Sequence, residues 1–348
     1  MDWLGCGGSE SLQARERVRH TIAHQAVSPL PYRLKFAAPV AERLQAATGL
    51  PDVDRSLGNA LAHVKMTPPA LPSLRNEHTI GQVDEFGCVW ATGPDGAPYV
   101  VGHPLAQGDI GTSPFPDPCA PGRFEEMARR TAAEQDRFVL FSFDWTLFER
   151  AHFMRGLEQF LTDMLLVPSL AHALLDRILA FNLTVIERAC QLDIDGVILS
   201  DDYGTQRGLM MSPSHWRQFI RPRLQEEFQV IKRHDKAVFL HSCGDVSAIL
   251  PDLVELGLDV LHPVQPEVFD LARLKAEYGS DLCFYGGIST QRTLPYGTPE
   301  DVKAEVRERI SVLGQDGGYI IGPGIMVLAD TPPENVVAFV EAVQRQAL

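Results

Sequence analysis

From about residue 121 onward the chain alternates short apolar runs with stretches of helical spacing. The runs are FVLFSF (138–143), GVILS (196–200), AVFLH (237–241), DVLHP (259–263), LCFYGG (282–287) and YIIGPG (319–324). Each is about five residues long, apolar and partly β-branched. That is the pattern of strands buried on both faces of a parallel sheet, which need no polar alternation because neither face meets water.

The stretches between the runs repeat every three or four residues. Trp216, Phe219, Ile220, Leu224, Phe228 and Ile231 line one side of 213–234, where Ser212 can cap the first turn and Pro213 presets it. Pro222 should kink or split that helix, because it has no N–H to donate. Val302, Val306, Ile310 and Leu313 form a stripe over 299–313, with Thr298 as cap, Pro299 at the first helical position and Gly314 as the stop. A last helix is expected at TPPE, where Thr331 and Glu334 have the spacing of a capping box.

Six strand–helix units in succession predict an α/β fold with a parallel sheet. YRLKF (32–36) and TIGQVDEFGCVW (79–90) offer two more strands, and eight is the number of a closed (β/α)8 TIM barrel. An open doubly wound sheet is the weaker alternative, since neither GxGxxG nor GxxxxGK[ST] occurs. We read 1–348 as one barrel domain, less regular over 15–120 and regular over 121–348.

Charge and cysteine usage narrow the function classes. The 45 acidic side chains exceed the 31 basic ones, for a formal net charge of −14. That argues against a nucleic-acid surface, which needs basic groups to neutralise phosphates. The six cysteines are irregularly spaced and form no CxxC, so a reducing compartment is expected rather than a disulfide framework. No apolar run approaches the roughly 20 residues of a membrane span. MDWLGCGGSE has no charged segment followed by an apolar one, so no secretory signal is expected. These features favour a cytoplasmic protein with neither nucleic-acid nor membrane partners, and nothing speaks against a homo-oligomer.

In a parallel barrel, chemistry gathers just past the carboxyl ends of the strands. Asp144-Trp145-Thr146 follows the first run, and Asp201-Asp202-Tyr203-Gly204 the second. His241-Ser242-Cys243-Gly244 ends the third, His262-Pro263-Val264-Gln265 the fourth and Gly286-Gly287 the fifth. His241 and Cys243 stand two residues apart on an extended chain, so their side chains point the same way and can reach one ion. Imidazole with thiolate is a zinc-type pair. The competing reading is a satisfied core histidine beside a small apolar filler. Asp201 and Asp202 could complete a metal shell or supply an acid, since like charges this close raise one pKa; they could equally be a solvated loop or a helix cap. Tyr203, His262, Gln206 and Gln265 could shape a pocket, Gly287 could allow close approach of a ligand, and Asp84 could anchor substrate from the opposite rim. Cys283 lies within a strand and is read as core.

GVILSDDYGTQRGLMMSPSHWRQFIRPRL, VFLHSCGDVSAILPDLVELGLDVLHPVQPE, YGGISTQRTLPYGTPEDV and GGYIIGPG with DTPPENV together resemble the uroporphyrinogen decarboxylase superfamily. The branch most like them holds the methylcobamide:coenzyme M methyltransferases and related corrinoid-dependent enzymes. The resemblance is strong over about 190–341 and looser over 15–155, where RERVRHTIAH and VDEFGCVW carry it.

The resemblance implies a (β/α)8 barrel, in agreement with the strand count. It implies zinc held by an HxC motif and a later cysteine, with His241 and Cys243 in the first two places. Where that later cysteine would stand the chain reads Gly324-Ile325-Met326, which leaves Asp201, Asp202 or His262 to complete the shell, or a site that binds metal weakly or not at all. It also implies transfer of a methyl group from a small methylated donor to a corrinoid or thiol acceptor, with a corrinoid protein as partner. The decarboxylase branch carries an arginine-rich motif near its amino terminus; here SPLPYRLKFAAPV contains Arg33 alone. A metal-independent carboxy-lyase therefore ranks second, and a barrel that binds a small ligand without turnover third.

Overall fold

The computed structural model describes residues 12–346 apart from 51, 69–72, 77–78, 94–97, 108–109, 112 and 114. MDWLGCGGSE, with Cys6, lies outside the described residues. In chain order the strands are β1 (Leu61–Val64), an antiparallel meander of β2 (Ser73–Asn76), β3 (Thr79–Val83), β4 (Val89–Thr92) and β5 (Pro98–Gly102), then β6 (Phe138–Phe143) and β7 (Gly196–Ser200). A short hairpin of β8 (Gly204–Thr205) and β9 (Gly208–Leu209) follows. The last four are β10 (Ala237–His241), β11 (Val260–Val264), β12 (Cys283–Ile288) and β13 (Tyr319–Pro323).

Seven of these form one parallel sheet in the order β1-β6-β7-β10-β11-β12-β13. Residues 32–36 close it. The Arg33 N–H donates to the Ile321 carbonyl at 2.9 Å and the Ile321 N–H to that of Pro31 at 3.0 Å. On the other side the Ala60 N–H donates to the Tyr32 carbonyl at 2.9 Å. Asn59 completes that seam with its side chain, Oδ1 accepting the Leu34 N–H at 2.7 Å and Nδ2 donating to the Leu34 carbonyl at 3.2 Å. The result is the eight-membered TIM barrel.

The expected members differ by one. YRLKF is the closing segment, but 79–90 is not a barrel strand: it is the β3–β4 hairpin of the meander. The missing member is β1, LAHV, whose four residues are too few to stand out as an apolar run. The meander docks on the rim through Trp90, which stacks on Trp145 at 4.5 Å between ring centroids.

Inside the barrel, alternate residues point inward. The lower layer is apolar: Leu61, Leu140, Ile198, Phe239, Val260, Cys283 and Ile320 pack together, sealed from below by Val18 and Ile22 of the helix Ala14–Ile22. Arg15 and Arg19 of that helix hold buried Asp195 at 2.9 and 2.6 Å. On five of the seven strands the next inward residue is polar: His63, Ser142, Ser200, His241 and His262, each two positions further along, while β12 and β13 place Tyr285 and Gly322 there. The change from hydrocarbon to polar layer sets the floor of the mouth.

The outer helices form largely as their spacing predicts. The helix splits before Pro222 into Pro213–Phe219 and Arg221–Arg233, and Ser212 caps the first at 3.2 Å. Thr298 and Asp301 form a full capping box on Pro299–Leu313. The box expected at Thr331 and Glu334 does not form: the last helix starts at Pro333 with Pro332 as its N-cap. Helix Pro168–Cys190 alone among the described residues has the length and apolarity to cross a bilayer. Its eleven buried residues, Leu175, Ile178 and Val185 among them, face the barrel core instead.

Candidate metal centre at the barrel mouth

Two glycines build the site's frame. A Cβ on Gly244 would stand 2.4 Å from the Gly204 carbonyl carbon, and one on Gly204 would stand 2.7 Å from that of Gly244. The loops after β7 and β10 therefore cross backbone to backbone, which only glycine permits; Gly244 also has φ +82°. The Asp245 N–H donates to the Thr205 carbonyl at 2.8 Å and locks the crossing.

This crossing puts Asp202 against Cys243. Asp202 Oδ1 accepts the Cys243 N–H at 2.7 Å and lies 3.6 Å from His241 Nε2. Cys243 Sγ is 3.4 Å from the same nitrogen. One carboxylate oxygen, one imidazole nitrogen and one sulfur thus lie within 4.8 Å of one another, half-buried at the mouth. Burial pushes the Cys243 thiol up, and Asp202 and Glu149 push it further. His241 is lowered by burial against the opposing pull of Asp202. A thiolate beside two carboxylates is unfavourable without a cation and favourable with one, so the donor set fits a bound zinc-type ion with an open coordination position.

The other expected residues fall into three groups. His262 is buried directly behind the cluster, with Nδ1 2.7 Å from His241 Nδ1 and its ring 4.2 Å from that of Tyr285. Gln265 is buried nearby, and its Oε1 accepts the Gly244 N–H at 2.8 Å. Asp201, next to Asp202 in sequence, is turned away and fully buried. Its oxygens accept the N–H groups of Leu147, Phe148 and Glu149 at 3.1, 2.8 and 2.6 Å, which caps the helix Phe148–Arg155. Burial raises it to about 7, against those three hydrogen bonds. Tyr203 packs in the core on Trp216 and Phe148.

The remaining three lie away from the cluster. Asp84 organises the meander, accepting from the Phe86 and Cys88 N–H groups, from Trp90 Nε1 at 3.0 Å and from Arg150 at 2.6 Å. Gln206 is exposed at the tip of the β8–β9 hairpin. Gly287 faces the helix layer, where a Cβ would meet the Tyr319 hydroxyl at 2.8 Å. Gly324, beside Ile325, lies near Gln265 and Thr290.

Sequence reasoning gave no role to four groups around the mouth, though it placed Asp144 at a strand end. Glu149 is buried, and its Oε2 has no hydrogen-bond partner. Burial, then Asp202 and Asp201, raise it well above the usual carboxylate range. Lys35 stands at the mouth two residues after Arg33, with its side chain exposed to solvent; the surrounding protein and Arg33 lower it, against Asp144. His63 donates to or accepts from Ser142 Oγ at 2.7 Å, and Asp144 pairs with Lys65. The alternation Arg33-x-Lys35 on YRLKF was a legible signal for two inward cations; His63 was hidden with its strand.

An eight-membered parallel barrel carrying an N, S and O donor set past the ends of β7 and β10 defines a TIM-barrel protein with a candidate metal centre. The sequence profile of the uroporphyrinogen decarboxylase (URO-D) family matches residues 80–346. The chain belongs to that family. It is 26% identical over 211 residues to a uroporphyrinogen decarboxylase of Pelodictyon phaeoclathratiforme, covering 58% of each chain. It is 34% identical over 134 residues to the methylcobamide:CoM methyltransferase MtaA of Methanosarcina barkeri, covering 38% of this chain and 37% of that one. The matches thus span less than two thirds of these curated relatives. A solved methyltransferase from Methanosarcina mazei shares the fold, with a TM-score of 0.74 at 20% identity over 97% of this chain and all of that one.

Proposed function

We propose that this protein is a zinc-assisted methyltransferase that moves a methyl group between a small methylated substrate and a corrinoid or thiol acceptor. The observation that carries the reading is the convergence of Asp202, His241 and Cys243 at the mouth. Those three side chains would hold the metal. Bound zinc would supply Lewis acidity, lowering an acceptor's pKa or polarising a leaving heteroatom. The chain's own groups do the rest. Gln265 fixes the Gly244 backbone and with it the Cys243 loop. Glu149, whose raised pKa keeps its proton at higher pH, stands beside Asp202 as a proton source. Trp90 and Trp145 wall one side of the rim. A corrinoid protein is the partner this chemistry calls for.

The test is metal content and turnover together. The purified protein should hold about one zinc per chain, and Cys243→Ser should lose it. Methylcobalamin with a small thiol should lose its cobalt–carbon absorption only with the zinc-loaded protein. A metal-free protein that decarboxylates a carboxylated substrate would replace this reading with the lyase. That second reading draws on the inward Arg33 and Lys35, which could hold a carboxylate, and on the decarboxylases among the relatives. Tight ligand binding without turnover would favour the non-catalytic barrel.

A further inference from the structure

The contact between His241 and His262 has an unusual form. Two ring nitrogens of the same kind, Nδ1 and Nδ1, face each other at 2.7 Å. Two bare lone pairs at that distance repel, and two N–H groups collide, so one proton and one lone pair must meet there. His262 is buried and His241 half-buried at the floor of the mouth, an environment that favours the neutral imidazole over the charged one. A neutral imidazole carries one proton. Where it sits at the shared contact therefore decides what His241 presents at its other nitrogen, Nε2, which faces Cys243 Sγ at 3.4 Å and Asp202 Oδ1 at 3.6 Å.

Two arrangements satisfy the contact with two protons in total. In the first, His262 Nδ1–H donates to His241 Nδ1, and His241 carries its own proton on Nε2, pointed at Asp202. That face then offers no lone pair to a cation. In the second, His241 Nδ1–H donates to His262 Nδ1, His262 carries its proton on Nε2, and His241 Nε2 is bare. Passing from the first to the second moves one proton across the contact, while solvent takes the proton from His241 Nε2 and returns one to His262 Nε2; nothing is gained or lost. Asp202 alone favours the first arrangement, because a carboxylate draws an N–H toward itself. Only an acceptor behind His241 can hold the second.

We propose that His262 is a positioning residue that selects the tautomer of His241 and thereby opens the cluster of Asp202, His241 and Cys243 to a cation. It fills the place a carboxylate or backbone carbonyl usually takes behind a ligating histidine, without adding a negative charge to a mouth that already holds Asp144, Glu149 and Asp202. Its ring is fixed for the task by packing against Tyr285, tilted 37° to it at 4.2 Å between ring centroids. The inference rests on the metal-centre reading above for its consequence, but not for its first observable.

The experiment compares wild type, His262→Phe and His262→Asn. Phenylalanine keeps the ring packing against Tyr285 and removes the nitrogen; asparagine restores an acceptor at a similar place. Zinc affinity is measured by competition with a chromogenic chelator, and the His241 tautomer by nitrogen-15 NMR of the metal-free and zinc-loaded proteins. His262→Phe should weaken zinc by about 10–100-fold, and show His241 protonated on Nε2. His262→Asn should bind within about threefold of wild type, as expected if the acceptor and not the ring is what counts. Zinc-loaded wild type should show His241 protonated on Nδ1. Equal zinc affinity in wild type and His262→Phe would overturn the inference, and so would a His241 tautomer in the metal-free protein that is indifferent to the Phe substitution. If wild type binds no zinc but its tautomer shifts on substitution, the selector stands and the function reading fails.

Discussion

Adjacent carboxylates at one strand end have opposite assignments. Asp201 spends both oxygens on three backbone N–H groups that helix Phe148–Arg155 cannot satisfy within itself. Asp202 directs one oxygen, Oδ1, to the Cys243 N–H and to His241 Nε2. Substituting each with alanine should therefore separate stability from binding. Asp201→Ala should cost about 1–3 kcal/mol in urea unfolding, the range for losing a helix cap and stranding buried donors, with zinc affinity close to wild type. Asp202→Ala should cost about 0.5–1.5 kcal/mol of stability, the range for the one hydrogen bond it loses to the Cys243 N–H, while zinc affinity collapses. The opposite pairing of outcomes would reverse the two assignments. No feature of DDYG in the sequence distinguishes the two; the alternation of β7 carries over two residues past its end and turns one carboxylate outward to the helix and the other to the mouth.

At the scale of elements, buried polar contacts tie the helix layer to the strand ends. Glu227 on Arg221–Arg233 is fully buried and accepts from Asn182 on Pro168–Cys190 at 2.8 Å, and Asn182 also donates to the Thr146 carbonyl just past β6. Its second oxygen has no partner. Burial raises Glu227 to about 8, with Asp201 adding repulsion and the Asn182 bond opposing. The sign of the linkage follows. A folded-state pKa above the unfolded value means the native state binds more protons across that interval, so stability falls as pH rises from the ordinary carboxylate range to about 8 and levels beyond it. Glu227→Gln should remove that fall, making the variant more stable than wild type at pH 8.5 by a few kcal/mol and nearly equal to it at pH 5. Thermal unfolding across that range reads both, and a parallel pH dependence in the two proteins would defeat the argument. The apolar stripe of this helix was legible in its sequence because Phe228 and Ile231 repeat at helical spacing. Glu227 was not, because a single glutamate beside Phe228 looks like the solvent face until the facing helix is known.

At the scale of the whole molecule, closure of the barrel depends on its least regular member. The six strands after residue 121 were legible because each buries both faces and so reads as an apolar run. In the amino-terminal quarter only YRLKF was, because LAHV is short and the other strand-like sequence, 79–90, folds outside the barrel. LAHV and YRLKF meet at a seam with few ladder hydrogen bonds, and Asn59, one per cent exposed, bridges it by pairing with both backbone groups of Leu34. Its Nδ2 also donates to Asp54 at 3.0 Å, which in turn pairs with Arg137 at 2.7 Å. Asn59→Ala would leave a buried N–H and carbonyl without partners, at about 1–3 kcal/mol each, so a loss of about 2–6 kcal/mol is expected in urea unfolding. The loss should be accompanied by faster hydrogen exchange at Leu34 and Ala60 and by slower changes, or none, at Val238 and Leu240 on the far side. Because Arg33 and Lys35 sit on the same closing segment, opening the seam should also weaken binding of carboxylated ligands while leaving zinc affinity unchanged. Uniform exchange across the barrel after the substitution would mean that the seam carries no more of the closure than any other strand pair.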